Sequence, residues 1–209
     1  MTARRSRLLL VCAAFCAGLV LCFGVITLIA GPNLGALLRI PSNFSSTALA
    51  PAQIGGPFRL TDQNGHAMTD QDLKGKPFLV FFGFTHCPDV CPTTLFDVSE
   101  VLRSLGADAD RTAALFITVD PERDDAAALK DYLSSFDPHL RGLTGDAEAL
   151  AAVAKEYRVY YKKVPLDGGD YTMDHTAIVY LMDKDGRFVA PFSLKRKPDV
   201  AAAELRKYL

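Results

Sequence analysis

Phe78 to Phe84 is a run of seven residues, apolar except for Gly83. It leads directly into Thr85-His86-Cys87-Pro88-Asp89-Val90-Cys91-Pro92. A Val- and Phe-rich run of that length reads as a strand buried on both faces. After Pro92, Leu95, Val98, Leu102 and Leu105 fall on one helical stripe, and Gly106 is placed to end the helix. Proline is favoured at the first helical position, which predicts Pro92 there and Cys91 at the N-cap. Cys87 then lies in the preceding loop, close enough for the two sulfurs to meet. A thiol at a helix N-terminus sits in a positive field that favours thiolate. The expectation is a strand that ends in a loop presenting two activatable sulfurs, suited to metal binding or to disulfide exchange.

A structural disulfide is the plainest reading of such a pair. Closing a five-residue loop contributes only about 2 kcal/mol on the chain-entropy estimate, against about 3 kcal/mol for fifteen residues. A functional pair is therefore favoured. The spacing is not Cys-x-x-Cys, which argues mildly against a general oxidoreductase.

The 209 residues allow an anchor plus one ordinary domain. Residues 1–30 carry Arg4, Arg5 and Arg7 and no acidic group. The rest of the chain has 20 basic against 24 acidic residues, a net of −4, which argues against nucleic acid as a partner. Leu8 to Ala30 is a charge-free run of 23 residues, longer than the roughly 20 needed to cross a bilayer. It is also longer than a signal-peptide core, and Leu28-Ile29-Ala30 is a poor cleavage site. The expectation is an uncleaved, single-pass anchor with the arginines inside. The soluble domain then lies on the outer side, in the periplasm or the intermembrane space. Cys12, Cys16 and Cys22 read as small lipid-soluble residues of that anchor. Residues 31–51 read as a linker, and the domain is expected over 52–209.

Within the domain, Asn64-Gly65 marks a hairpin between FRLTD and HAMTD. Ala113 to Val119 reads as a second buried strand, followed by a helix from near Asp124 with Leu129, Tyr132, Leu133 and Phe136 inward. A third helix runs from Asp146 to Tyr157, with Leu150 and Val153 inward. Arg158 to Lys162 is a short strand and Val164 to Thr172 a loop, read as a mobile gate because of Gly168-Gly169. Thr176 to Met182 and Arg187 to Phe192 form a hairpin across Asp183-Lys184-Asp185-Gly186. A last helix follows Pro198. The predicted class is α/β: a thioredoxin-like fold with an added N-terminal β-hairpin, preceded by a single transmembrane helix.

Several motifs in order now carry a resemblance. CPDVCP after an FFGFTH strand end, then DPERDD, YRVYY, and DYTMDHT before an apolar strand and a D-x-D-G turn resemble the Sco/SenC family. The likeness covers roughly Phe78 to Phe192. Members are membrane-anchored copper proteins that help assemble the CuA centre of cytochrome c oxidase. By that resemblance Cys87, Cys91 and His175 are copper ligands, and the copper-binding subunit of the oxidase is the partner. A copper donor protein and a thiol reductant are implied beside it. The donor chemistry agrees: two thiolates suit Cu(I) and an imidazole admits Cu(II). Zinc uses the same donors and is the competing metal. In thioredoxin-like folds the segment before the third strand abuts the cysteines, and Asp174-His175-Thr176 stands there.

The remaining candidates are weaker. His86 adjoins Cys87 but is expected to point away from it. His66 and His139 are expected in solvent. Asp120 reads as a helix-entry residue or a site residue, Met173 as core, and Lys195-Arg196-Lys197 as a solvated cluster. The leading reading is a copper metallochaperone. The alternative is an enzyme, a membrane-anchored thiol–disulfide reductase using Cys87 and Cys91 as its redox pair. Nothing in the sequence marks a peroxidatic site.

Overall fold

The computed structural model of the protein describes residues 53–209. The expected anchor and linker, residues 1–51, lie outside the described residues. Among the described residues, no helix is long and apolar enough to cross a membrane.

The run that dominates the sequence forms the middle of a seven-stranded sheet. β1 (Arg59–Asp62) and β2 (Ala67–Thr69) make the N-terminal hairpin, and β3 (Phe78–Gly83) is the buried strand. Helix α1 (Val90–Leu105) leads to β4 (Ala113–Thr118), α2 (Ala126–Leu133) to β5 (Leu140–Thr144), and α3 (Ala147–Glu156) follows. β6 (Tyr161–Pro165) and β7 (Tyr171–His175) form a separate two-stranded ribbon. β8 (Val179–Met182), β9 (Phe188–Pro191) and α4 (Pro198–Leu205) close the chain.

The strand order is β2-β1-β5-β4-β3-β8-β9. β3, β4 and β5 are parallel, and β1 and β8 flank them antiparallel. Both parallel crossovers step in the same direction, so right-handed connections put α1 and α2 on one face. The contacts agree. A side chain added at Gly142 of β5 would meet Leu129 and Leu133 of α2, and one added at Gly83 of β3 would meet Cys91 of α1. Tyr157, just past α3, packs on Phe82 and Tyr180 from the opposite face. β3 is thus covered on both sides, and all six of its residues are buried.

Helices α2 and α3 start where short polar side chains hold their first N–H groups. The Asp125 carboxylate accepts from Ala128 N and the Asp146 carboxylate from Ala149 N. Pro198 opens α4. The hairpin turn after β1 is held by Asp62, whose carboxylate accepts from the N–H groups of Asn64 and His66.

Four expectations need correction. α1 begins at Val90, so Cys91 and Pro92 lie inside its first turn, not at the N-cap and first position. β5 was not foreseen. The strand expected at 158–162 lies at Tyr161–Pro165. The expected loop Val164–Thr172 is shorter than foreseen: its two ends are paired strand backbone, and residues 166–170 join the two strands of the ribbon.

Candidate metal centre

The site stands at the C-terminal end of β3. Once β3 stops at Gly83, the Phe84 carbonyl accepts the Cys87 N–H at 3.3 Å and closes a tight turn. Asp89 precedes α1 but gives it no side-chain cap. The first-turn N–H groups of a helix lack intrahelical partners. One of them, that of Cys91, donates instead to Cys87 Sγ at 3.3 Å. The sulfur supported by the helix N-terminus is therefore that of Cys87. Cys91 is fully buried, and burial pushes its thiol well above the ordinary range. This corrects the expectation that the helix would activate Cys91: in the metal-free protein its sulfur is a protonated thiol.

His175 ends β7, opposite Tyr161 across the ribbon. Its Nδ1 lies 3.2 Å from the Thr176 carbonyl. A carbonyl only accepts, so Nδ1 carries the proton and Nε2 keeps its lone pair. Nε2 lies 3.6 Å from Cys91 Sγ. The ring packs edge-on against Phe81 and Phe84, with centroids 6.2 and 5.8 Å away. Burial lowers the imidazole pKa, which favours the neutral ring that a metal requires.

The ligand atoms of Cys87, Cys91 and His175 all lie within 4.8 Å of one another, the one such group among the described residues. Metal bonds of about 2.3 Å to sulfur and about 2.05 Å to nitrogen, at a tetrahedral angle, separate the two donors by roughly 3.6 Å. The Cys91–His175 spacing already has that value. Two cysteines and a histidine form a soft, three-donor set that leaves room for a fourth ligand.

The other candidates lie outside this group. His86 is exposed, with Nδ1 at 3.0 Å from Thr85 Oγ1, and His66 is exposed beside Asp62. His139 corrects its expectation. It is only one-third exposed and sits between Asp137 at 2.7 Å and Asp110 at 3.2 Å. Met173 is core. Asp120 is buried and bonded to Arg123 and to the Tyr171 hydroxyl. In the basic cluster, Arg196 pairs with Glu204.

Sequence reasoning missed the side chains that surround the donors. Asp124, with no exposed surface, accepts from Thr85 N, Thr85 Oγ1 and Thr118 Oγ1. Arg123 reaches the ribbon. At Gly83, an added Cβ would stand 2.8 Å from Cys91 Sγ and 2.7 Å from the Phe116 ring, so the sulfur needs the missing side chain. The available signal was the charge-dense DPERDD directly after a buried strand.

Comparison with known proteins follows the same lines. The SCO1/SenC family model matches residues 46–209. The structure of Bradyrhizobium japonicum ScoI with copper bound is 68% identical, with a TM-score of 0.74, covering 75% of this chain and 99% of that one. Yeast Sco1 with copper bound is 38% identical, with a TM-score of 0.68, covering 74% of this chain and 87% of that one. The mitochondrial SCO1 homologue of Homo sapiens is 46% identical over 155 residues, 72% of this chain and 51% of its own length. The mitochondrial SCO2 homologue of Mus musculus is 41% identical over 166 residues, 78% of this chain and 65% of its own length. The chain thus spans about half to two thirds of those mammalian relatives. On the family match and these identities, the chain belongs to the SCO1/SenC family.

Proposed function

We propose that this chain is a copper metallochaperone. It holds copper on Cys87, Cys91 and His175 and delivers it to the CuA centre of cytochrome c oxidase during assembly. The observation that carries the reading is the convergence of two sulfurs and one imidazole nitrogen within 4.8 Å. Relatives solved with copper bound support the choice of metal. Copper is cargo here. Cys87 and Cys91 hold Cu(I) as thiolates, and the His175 imidazole makes Cu(II) tolerable as well. Loading expels the Cys91 proton. The Thr176 carbonyl keeps the His175 ring in the tautomer that offers Nε2. Three donors leave an exchange position through which a partner's ligand can enter and take the ion.

The partner is the copper-binding subunit of the oxidase, with a copper donor protein and a thiol reductant acting earlier. Val90, Tyr160 and Ile178 are exposed apolar side chains close in sequence to the site elements, which supports docking there. The place of action is the outer side of an inner membrane, reached by the single-pass anchor expected over residues 8–30. Relatives named as mitochondrial are compatible with that compartment.

One observation favours a second reading, a thiol–disulfide reductase that keeps the partner's copper-ligand cysteines reduced. The Cys91 N–H donates to the Cys87 sulfur, while Cys91 is buried behind it. Cys87 would attack the partner's disulfide. Cys91, losing its proton, would then attack the Cys87 sulfur of the mixed disulfide and displace the partner's thiolate. The partner leaves as a dithiol and the pair as a Cys87–Cys91 disulfide.

The test is transfer. Copper-loaded chain is mixed with the metal-free, reduced copper-binding subunit, and the CuA absorption is followed. The account expects the absorption to grow as the chain loses copper. Copper retained by the chain against reduced partner would overturn delivery, and a partner restored only from its oxidised form would favour the reductase.

A further inference from the structure

We propose that the turn Asp120–Asp124 is a positioning clamp, with Arg123 gripping the ribbon that ends in His175 and Asp124 gripping the loop that leads to Cys87. One short segment thereby sets the sulfur-to-imidazole spacing of the centre. The inference rests on the copper reading only for its metal readout.

Arg123 is 16% exposed and reaches across to a different structural unit. Its Nε donates to Asp120 Oδ2 at 2.5 Å. Its Nη1 donates to the Tyr171 carbonyl at 3.0 Å and to Asp170 Oδ1 at 3.3 Å. The guanidinium also lies over the Tyr171 ring, 3.7 Å from its centroid. The Tyr171 hydroxyl donates to the other Asp120 oxygen at 2.9 Å. Asp120 is therefore shared between an arginine of the turn and a tyrosine of the ribbon. Lys163 adds a third link, to Glu122 at 2.6 Å, with its ammonium 4.0 Å from the same Tyr171 ring.

Tyr171 and His175 lie four residues apart on β7. Side chains two and four apart share a face of a strand, so fixing Tyr171 fixes the face on which His175 is presented. Phe84 completes the link. Its ring is 5.9 Å from the Arg123 guanidinium and 5.8 Å, edge-on, from the His175 ring. On the other side of the turn, Asp124 holds the backbone N–H and the hydroxyl of Thr85, two residues before Cys87. It also binds Thr118 at the end of β4, while Thr144 of β5 donates to its carbonyl. The Cys87 side of the centre is thereby tied to the rigid sheet. The His175 side is on a two-stranded ribbon outside that sheet, and such ribbons are marginal alone. The clamp supplies the missing support.

The test uses the full-length chain with Arg123→Met, which keeps most of the stem and removes the fork, and Arg123→Lys, which keeps the charge. The first readout needs no metal: amide hydrogen exchange of the ribbon, residues 161–175, compared with β3 and β4. The clamp predicts faster ribbon exchange with core exchange unchanged, and a smaller effect for Arg123→Lys. The second readout is copper affinity by chelator competition. Removing an outer partner of a ligand lowers metal affinity about tenfold or more, and here that loss is expected for Cu(II), with Cu(I) little changed. The Cu(II) electron paramagnetic resonance spectrum should lose its imidazole nitrogen coupling in step.

Equal exchange in wild type and Arg123→Met would overturn the clamp, as would equal losses of Cu(I) and Cu(II). Should Arg123→Met raise exchange throughout the core, Arg123→Lys and Tyr171→Phe are judged on the same ribbon-against-core comparison. A His175→Ala control separates the two claims. If that variant changes neither copper affinity, the ligand assignment fails while the exchange result still decides the clamp.

Discussion

At the scale of residues, Gly83 and Cys91 are a pair that the sequence hides. In the strand pattern Gly83 is only a gap between phenylalanines. In the fold it is the space that Cys91 Sγ occupies against Phe116. Gly83→Ala forces the sulfur or the ring to move, at about 1–3 kcal/mol for overpacking. Thermal unfolding should show that loss, and copper affinity should fall with it. Weakened folding with unchanged copper affinity would mean that the sulfur has room to give way. The buried thiol makes a second prediction. Burial holds Cys91 protonated at neutral pH, so each copper bound must release that proton. Affinity should rise about tenfold per pH unit for each proton released, measured between pH 6 and 8 against a chelator of known proton affinity. A flat profile would contradict the protonation state assigned here. The three side chains that converge at the candidate centre were legible, because the motifs that carry them are local. Arg123 and Asp124 were not, since Asp124 reaches Thr85, 39 residues away, and Arg123 reaches Tyr171, 48 away.

At the scale of elements, the long periodic stretches were readable and the short interrupted ones were not. β3, α1 and α3 carry their signal in several successive apolar positions, and their bounds fall within a residue or two of expectation. β5 is only Leu140–Thr144, and Arg141-Gly142 breaks its pattern. Yet Gly142 is there for packing, since a Cβ would stand 2.7 Å from Leu133. The ribbon misled in the opposite way. Gly168-Gly169 signals a loop, but the two positive-φ glycines occupy only the turn while Tyr161–Pro165 and Tyr171–His175 pair around it. Amides paired across the ribbon should therefore exchange slowly and those of residues 166–170 quickly, with and without copper. Uniformly fast exchange over 161–175 would restore the mobile gate.

At the scale of the whole molecule, the fold separates a metal end from a purely structural end. The donors gather at the C-terminal end of β3. His139 stands before β5, at the opposite edge of the parallel strands, between Asp137 and Asp110. Its bond to the Asp137 carboxylate raises its pKa above the ordinary 6.5 despite partial burial. A raised folded-state pKa contributes stability that is fully present below the unfolded value and lost as pH rises through the folded one. The stability advantage of wild type over His139→Gln should accordingly shrink on going from pH 6 to pH 8.5. A difference in thermal midpoint that does not change with pH would show that the charge on His139 is not what stabilises the fold. Copper affinity should be the same in both proteins.

The central claim is that copper sits on Cys87, Cys91 and His175, and copper retained per chain tests it most directly. Reduced full-length protein is loaded, washed with a competing chelator and analysed for metal, beside Cys87→Ser/Cys91→Ser. The account predicts one retained copper in wild type and none in the double variant. The three cysteines at 12, 16 and 22 are present in both, so they serve as an internal control. One tightly bound copper in the double variant would place the site elsewhere and contradict the account.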